Sequence, residues 1–354
     1  MRNPALDRRT FLRAAAAAGA GLPVAAAALP AEAAPRDWPG RADTQPQEQQ
    51  EQREQREQRE QREQPDGQEQ AGRPSGTVYR WLGTAGWRID HGGRTVLFDP
   101  YLTRFSTGLH VDGGKAFDPA TPLVTDPALV DPHIGTPELL LVSHSHWDHI
   151  NDVPYIAART GAPVVGTETT YHLLRALDVP AGQLIVVKGG EVLDFGGGLT
   201  VEVVASRHSR NEQRRYFAPG TLNALPPRRP ATVGDLPEGD TLAFQVGFEG
   251  GPTAFLTGAS DFAEREAAGL RPDLAMIAVP GSAATHGYVP RLMRALGNPR
   301  TVVPVHWDTF ESALVNPVRP DPHMDLAAFT AQVAQASPQT RVVVPDYLTP
   351  RTFC

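Results

Sequence analysis

Residues 143–152 read SHSHWDHIND and stand directly behind the aliphatic run at 139–142. A short apolar run of this kind reads as a buried strand. One that empties into His144-x-His146-x-Asp148-His149 constrains the fold, because the strand end must carry those side chains to a shared point. In an extended segment, residues two apart face the same side, so His144 and His146 present their imidazoles together. Asp148 and His149 follow where the chain turns toward a helix and can serve an adjacent position. A polar turn needs no histidine, so the pattern predicts metal ligation, with room for two neighbouring ions. The single cysteine is Cys354, so imidazole and carboxylate must supply the donors, and no intrachain disulfide is possible.

The remaining donors have to come from later strand ends. His208 follows an expected strand at 200–205, Asp261 follows the run 255–260, and His306 follows 301–305. Around them, short β-rich runs recur with glycine turns: 77–82, 87–91 and 95–99, with a hairpin at Gly92-Gly93. The histidine strand spans 138–142. A helix at 153–159, a strand at 163–166, a helix at 169–177 and a strand at 184–187 come next. Segments 191–195 and 200–205 flank Gly196-Gly197-Gly198, and 241–248 pairs with 253–256. Helix and strand then alternate through 263–270, 274–279, 288–296, 301–305, 326–336 and 342–344. Many hairpins with interleaved helices predict an α/β fold of two mixed sheets packed together and covered by helices. Residues 209–239 lose the pattern, become rich in Pro and Arg, and read as an insertion or lid.

The N-terminal part reads differently. Asp7-Arg8-Arg9-Thr10-Phe11-Leu12 is a twin-arginine pattern, followed by an Ala-rich run and the small-x-small site Ala31-Glu32-Ala33. Residues 1–33 are therefore expected to be an export signal that is cleaved, leaving no stable membrane anchor. Residues 34–75 carry a Glu-Gln-Arg repeat with no apolar positions, which suits a polar linker. The folded domain is expected over 76–354. The formal charge of −7, without any Lys/Arg block, argues against a nucleic-acid partner.

His144, His146, Asp148 and His149, with His208, Asp261 and His306 in that order, resemble the metallo-β-lactamase-fold hydrolase superfamily. Gly83-Thr84-Ala85-Gly86 and Phe98-Asp99-Pro100 extend the likeness. It implies a four-layer αββα sandwich in which His144, His146 and His208 hold one metal and Asp148, His149 and His306 the other, with Asp261 bridging them. The absence of a suitably placed cysteine, the presence of Asp261 and the histidine at 146 separate the chain from β-lactamases and from diiron oxidoreductases of this fold. It looks closer to the group containing ascorbate-phosphate lactonases and N-acylphosphatidylethanolamine-type phospholipases D.

The expected cofactor is a pair of divalent ions, zinc first, with manganese, iron and nickel as alternatives. The expected activity is hydrolysis of a lactone, ester or phosphodiester by a hydroxide shared between the two ions, with Asp148 in a second role toward nucleophile or leaving group. The substrate is expected to be a small molecule or lipid-derived. Two alternatives are a phospholipase D-like enzyme at a membrane surface and a noncatalytic metal-binding envelope protein. Among the other histidines, His286 sits on the expected rim and is assigned to substrate binding or proton donation. His91, His110, His133, His172 and His323 are assigned surface or packing roles. Arg210, Arg214 and Arg215 read either as a solvated loop or as an anion clamp. Ser145, Trp147 and Asp308 are expected to support the site without taking part in the chemistry, and Asn151 and Asp152 to start a helix.

Overall fold

Successive residues of a strand face opposite sides, and here the two sides face two separate cores. Strands β1 (Val78–Gly83), β2 (Gly86–His91), β3 (Arg94–Phe98) and β4 (Leu139–Leu141) open the first sheet. Val96, Phe98, Leu139 and Leu141 join one apolar cluster, while Leu97 and Leu140 join another. This computed structural model describes residues 76–110, 117–281 and 283–353; the expected signal at 1–33, the linker at 34–75, and Cys354 lie outside the described residues.

The first sheet continues with β5 (Val164–Gly166) and β6 (Leu184–Val186). After β7 (Val192–Asp194) and β8 (Leu199–Arg207) the second sheet runs through β9 (Leu242–Phe248), β10 (Ala254–Thr257), β11 (Asp261–Phe262), β12 (Leu274–Ala278), β13 (Thr301–Val305) and β14 (Arg341–Val342), and β15 (Arg351–Thr352) returns to the edge of the first. The strand orders are β15-β1-β2-β3-β4-β5-β6 and β11-β8-β9-β10-β12-β13-β14, with β7 beside β8. Each sheet is antiparallel at its hairpins and turns parallel from β3 to β6 and from β10 to β14. The parallel strands β4, β12 and β13 are buried at every position, as strands covered on both faces must be. Phe98 of the first sheet meets Phe244 of the second edge to face, with ring centroids 6.0 Å apart.

Helices cover both outer faces. The first sheet is covered by α1 (Pro127–Ile134), the single turn α2 (Trp147–Ile150), α3 (Val153–Thr160) and α4 (Glu168–Ala176). Their buried residues Val130, Ile150, Ile156 and Leu173 share a cluster with Leu97 and Leu140. After α5 (Glu264–Ala267), α6 (Tyr288–Ala295) and α7 (Leu326–Ala336) bury Leu292, Met293, Phe329 and Val333 against the second sheet. The result is the expected four-layer αββα sandwich. No helix among the described residues is long and apolar enough to cross a membrane.

Three local readings change. The helix α1 was not anticipated, although its signal was present: the Asp126 side chain accepts from the Ala128 N–H at 2.9 Å, and a proline opens the helix, a placement that suits a residue without an N–H. Asp152 does occupy the N-cap position of α3 but makes no capping bond there. Its Oδ2 instead accepts from the backbone N–H groups of Leu102 and Thr103, each at 2.7 Å, pinning the loop behind β3. The helix expected over 263–270 is only the turn α5, because Ala268 is extended and Gly269 takes a positive φ of 103°.

Candidate metal centre

The carboxyl ends of strands from both sheets meet at one rim. Asp99 leaves β3, the histidine stretch leaves β4, His208 leaves β8 and His306 leaves β13. His144, His146 and His208 each offer a ligand atom within 4.8 Å of the others, and Asp148, His149 and His306 do the same. The first three rings pack mutually, with centroids 4.7–4.9 Å apart. His144 and His149, at 3.9 Å, join the two triads. In the second triad, Oδ2 of Asp148 lies 3.3 Å from Nε2 of His149 and 3.2 Å from Nε2 of His306.

A histidine ligates through whichever ring nitrogen lacks a proton, so its other nitrogen must be given an acceptor. Nδ1 of His149 donates to Oδ2 of buried Asp99 at 2.8 Å. Ser143 donates its N–H to Oδ1 of the same residue at 2.7 Å and its hydroxyl to Oδ2 at 2.5 Å. With that proton committed, the hydroxyl accepts from Nδ1 of His144 at 3.0 Å. Nδ1 of His208 donates to the Ser209 carbonyl at 2.9 Å. Nε2 of His144 and of His146 is buried with no partner among the described residues. Orphaned buried ring nitrogens are costly unless something binds them, so the donor set fits divalent ions. Gly258 packs against this network: a Cβ there would lie 2.0 Å from Oγ of Ser143.

The electrostatics agree. Burial, then the neighbouring imidazoles, hold His144 well below the ordinary histidine range. Burial likewise brings His146 down to about 3 and His208 to about 4, so all three are neutral donors at pH 7. Burial would lower His149 too, but Asp148 and Asp99 on either side raise it to about 10, so an ion held there would have to displace the proton on its Nε2. Burial would raise Asp148, yet His149 and then His306 take it well below the carboxylate range.

His306 is set by a second device. Its N–H donates to the Thr84 carbonyl at 2.8 Å, and both residues hold positive φ, 57° and 50°. The Thr84 N–H is held in turn by the Asp308 carboxylate at 3.1 Å. That carboxylate also takes Tyr347 Oη at 2.8 Å and Arg104 Nη1 at 3.2 Å.

The structure does not bring Asp261 into either triad. It is a ladder residue of β11 in register with Arg207, its Oδ1 accepts from the Phe262 N–H at 2.8 Å, and its Oδ2 faces Nη2 of Arg210 at 3.6 Å. His286 is exposed and opens on a separate concavity beside Thr285 and Tyr288. Of the three arginines, Arg210 lies against Asp261 and the Tyr216 ring, and Arg214 and Arg215 are exposed. Sequence reasoning passed over Asp99 as a positioning group, and over His110 and Phe217 as cavity walls. His110, assigned to the surface or packing, lines the cavity above the triads with Phe217, Phe310 and Trp147.

The profile of the "Beta-lactamase superfamily domain" matches residues 79–306, and the chain belongs to that family. A "UPF0173 metal-dependent hydrolase" of Pyrobaculum arsenaticum is 28% identical over 73% of this chain and 93% of its own length. Another, from Cupriavidus taiwanensis, is 29% identical over 71% and 80%. The solved structure of Igni18, a metallo hydrolase from Ignicoccus hospitalis, shares 20% identity over 78% of this chain and 98% of that one, with a TM-score of 0.48.

Proposed function

We propose that this metal-dependent hydrolase of the metallo-β-lactamase superfamily works with two divalent ions, zinc first among them, on a lactone, ester or phosphodiester. The observation that carries the reading is a pair of three-donor clusters, one all-imidazole and one mixed, sharing a single cavity. His144, His146 and His208 would hold one ion and Asp148, His149 and His306 the other. Ions held by these residues would supply an acidified water and positive charge to offset the charge that develops at the attacked centre. Asp99 and Ser143 keep the protons on Nδ1 of His149 and His144, so that Nε2 of each stays a donor. Asp148, ionised at neutral pH, can accept a proton from the attacking water through its carboxylate. Phe217, lying on His146 and Trp147 at 5.3 and 5.9 Å, narrows water access from above.

The N-terminal twin-arginine pattern supports export, which cell fractionation with and without Arg8 and Arg9 replaced by Lys would test. For the activity, purified protein loaded with each metal is assayed against lactones, bis(p-nitrophenyl) phosphate and phospholipid. Turnover that disappears on chelation and returns with two equivalents of metal is the expected result. Full metal occupancy without turnover on any class would leave a metal-binding protein.

A further inference from the structure

The cavity above the two triads has a volume of about 410 Å³, inside the range of about 300–1,000 Å³ typical of small-molecule sites. Beyond the metal ligands, its walls are mostly apolar: Leu109, Trp147, Phe217, Val279, Phe310 and Met324. Phe310 packs edge-on to His306 at 5.2 Å, so the apolar wall begins directly beside a ligand. At the mouth, Leu109 is 40% exposed and Phe217 38%.

The charged groups on the wall point the same way. Arg210 is the cationic side chain there, and it lies against the Asp261 carboxylate and the Tyr216 ring. Glu212 and Asp321 add two carboxylates. A second anionic group on the substrate, away from the reacting centre, would meet these acids in a largely apolar enclosure and lose its hydration. Two ring nitrogens on wall residues, Nε1 of Trp147 and Nε2 of His110, are buried without a hydrogen-bond partner among the described residues. The His110 side chain is only 9% exposed, and Asp321 stands 3.8 Å from its other nitrogen. An apolar wall with isolated hydrogen-bonding positions suits a carbonyl or ring oxygen on an alkyl or aryl body.

We propose that this cavity selects substrates whose non-reacting part is an uncharged alkyl or aryl group, so that the substrate class is hydrophobically substituted lactones and esters rather than polyol phosphates or substrates bearing a second charged group. This rests on the hydrolase reading above. The reaction is addition of water across the acyl C–O bond: the water oxygen bonds the carbonyl carbon, the C–O bond breaks, and the released oxygen takes up a proton, giving a hydroxy acid from a lactone.

The test uses the full-length, metal-loaded protein. kcat/KM is measured for γ-lactones bearing hydrogen, propyl, hexyl, phenyl or carboxymethyl substituents. In parallel, the matching non-hydrolysable γ-lactams and phenyl phosphate are titrated calorimetrically. Each methylene buried should raise kcat/KM, and lactam affinity, by about fourfold until the cavity is full. Phe217→Ala, on the irregular segment 209–239, should flatten that dependence. A flat or falling chain-length series, or preference for the carboxymethyl lactone, would overturn the pocket assignment while leaving the hydrolase reading in place. Absence of turnover on every substrate would remove the hydrolase reading, and the lactam titration would then decide the pocket alone: graded affinity upholds it, ungraded affinity refutes it.

Discussion

Asp99→Asn is the most informative single change. The carboxylate is completely buried and holds three donors: the Ser143 N–H on Oδ1, and the Ser143 hydroxyl and Nδ1 of His149 on Oδ2. Asparagine has nearly the same shape and tolerates the positive φ of 41° found there, because its short amide is among the residues that enter the left-handed region. If its carbonyl stays on the Ser143 N–H, its NH₂ replaces Oδ2 and confronts two donors. The remedy open to His149 is to move its proton to Nε2, the nitrogen that faces Asp148. Losing such a carboxylate–histidine pair weakens metal binding by about 10–100-fold, equivalent to about 1.4–2.8 kcal/mol. The loss should fall mainly on the Asp148/His149/His306 position, since the Ser143 hydroxyl can rotate and still accept from His144. Titration of metal-free protein with zinc against a chromophoric chelator would resolve two binding steps. One should weaken by 10–100-fold and the other by no more than about threefold, and His208→Ala identifies which is which. Two unchanged steps, or a loss confined to the step that His208→Ala also removes, would refute the argument.

Asp308→Ala should destabilise the fold by about 3–5 kcal/mol in urea titrations, because Arg104, with 2% of its side chain exposed, would be left as an uncompensated buried charge; a loss below 1 kcal/mol would contradict this. Asp261→Asn should leave both zinc-binding steps within about twofold of the parent, and disappearance of one ion would establish the bridging role expected from its place in the ligand order. Asp148→Ala and His146→Ala should each abolish turnover while circular dichroism stays that of the parent; near-normal activity in either would break the mechanism. Burial, followed by the charge of Asp240, raises Glu238 to about 7. A carboxyl raised on folding contributes stability below its unfolded pKa and loses it as pH climbs through the folded one, so the melting temperature of the parent should fall relative to Glu238→Gln between pH 5 and 8. Parallel profiles would show that the shift is absent.

The amino-acid pattern carried the architecture because both sheets obey the simplest periodicities. Leu139-Leu140-Leu141 is a buried run that alternates between two cores, and each triad histidine follows a strand recognisable by its aliphatic content. Asp99 was visible as a residue but not as a function, since its role exists only through Ser143, 44 positions later, and His149, 50 positions later. Asp261 presents the opposite case, standing outside both triads. Its place behind an apolar strand matched the ligand order, but the segment that abuts the centre is Gly258, whose missing side chain makes room for Ser143 and Asp99. By Asp261 the chain has entered the β11 ladder, and the carboxylate is turned toward Arg210.

His110 and Phe217 share a further difficulty. They sit in segments without periodicity and acquire meaning only where loops after β3 and β8 close over the metal site. Ligand chemistry is written in strand ends, where the backbone dictates direction, and so it can be read from one chain. Substrate choice is written in irregular loops whose packing no local pattern encodes. Here the aromatic wall formed by Phe217, Trp147 and Phe310 is where the proposed preference for an alkyl or aryl substituent rests, rather than on any motif in the chain.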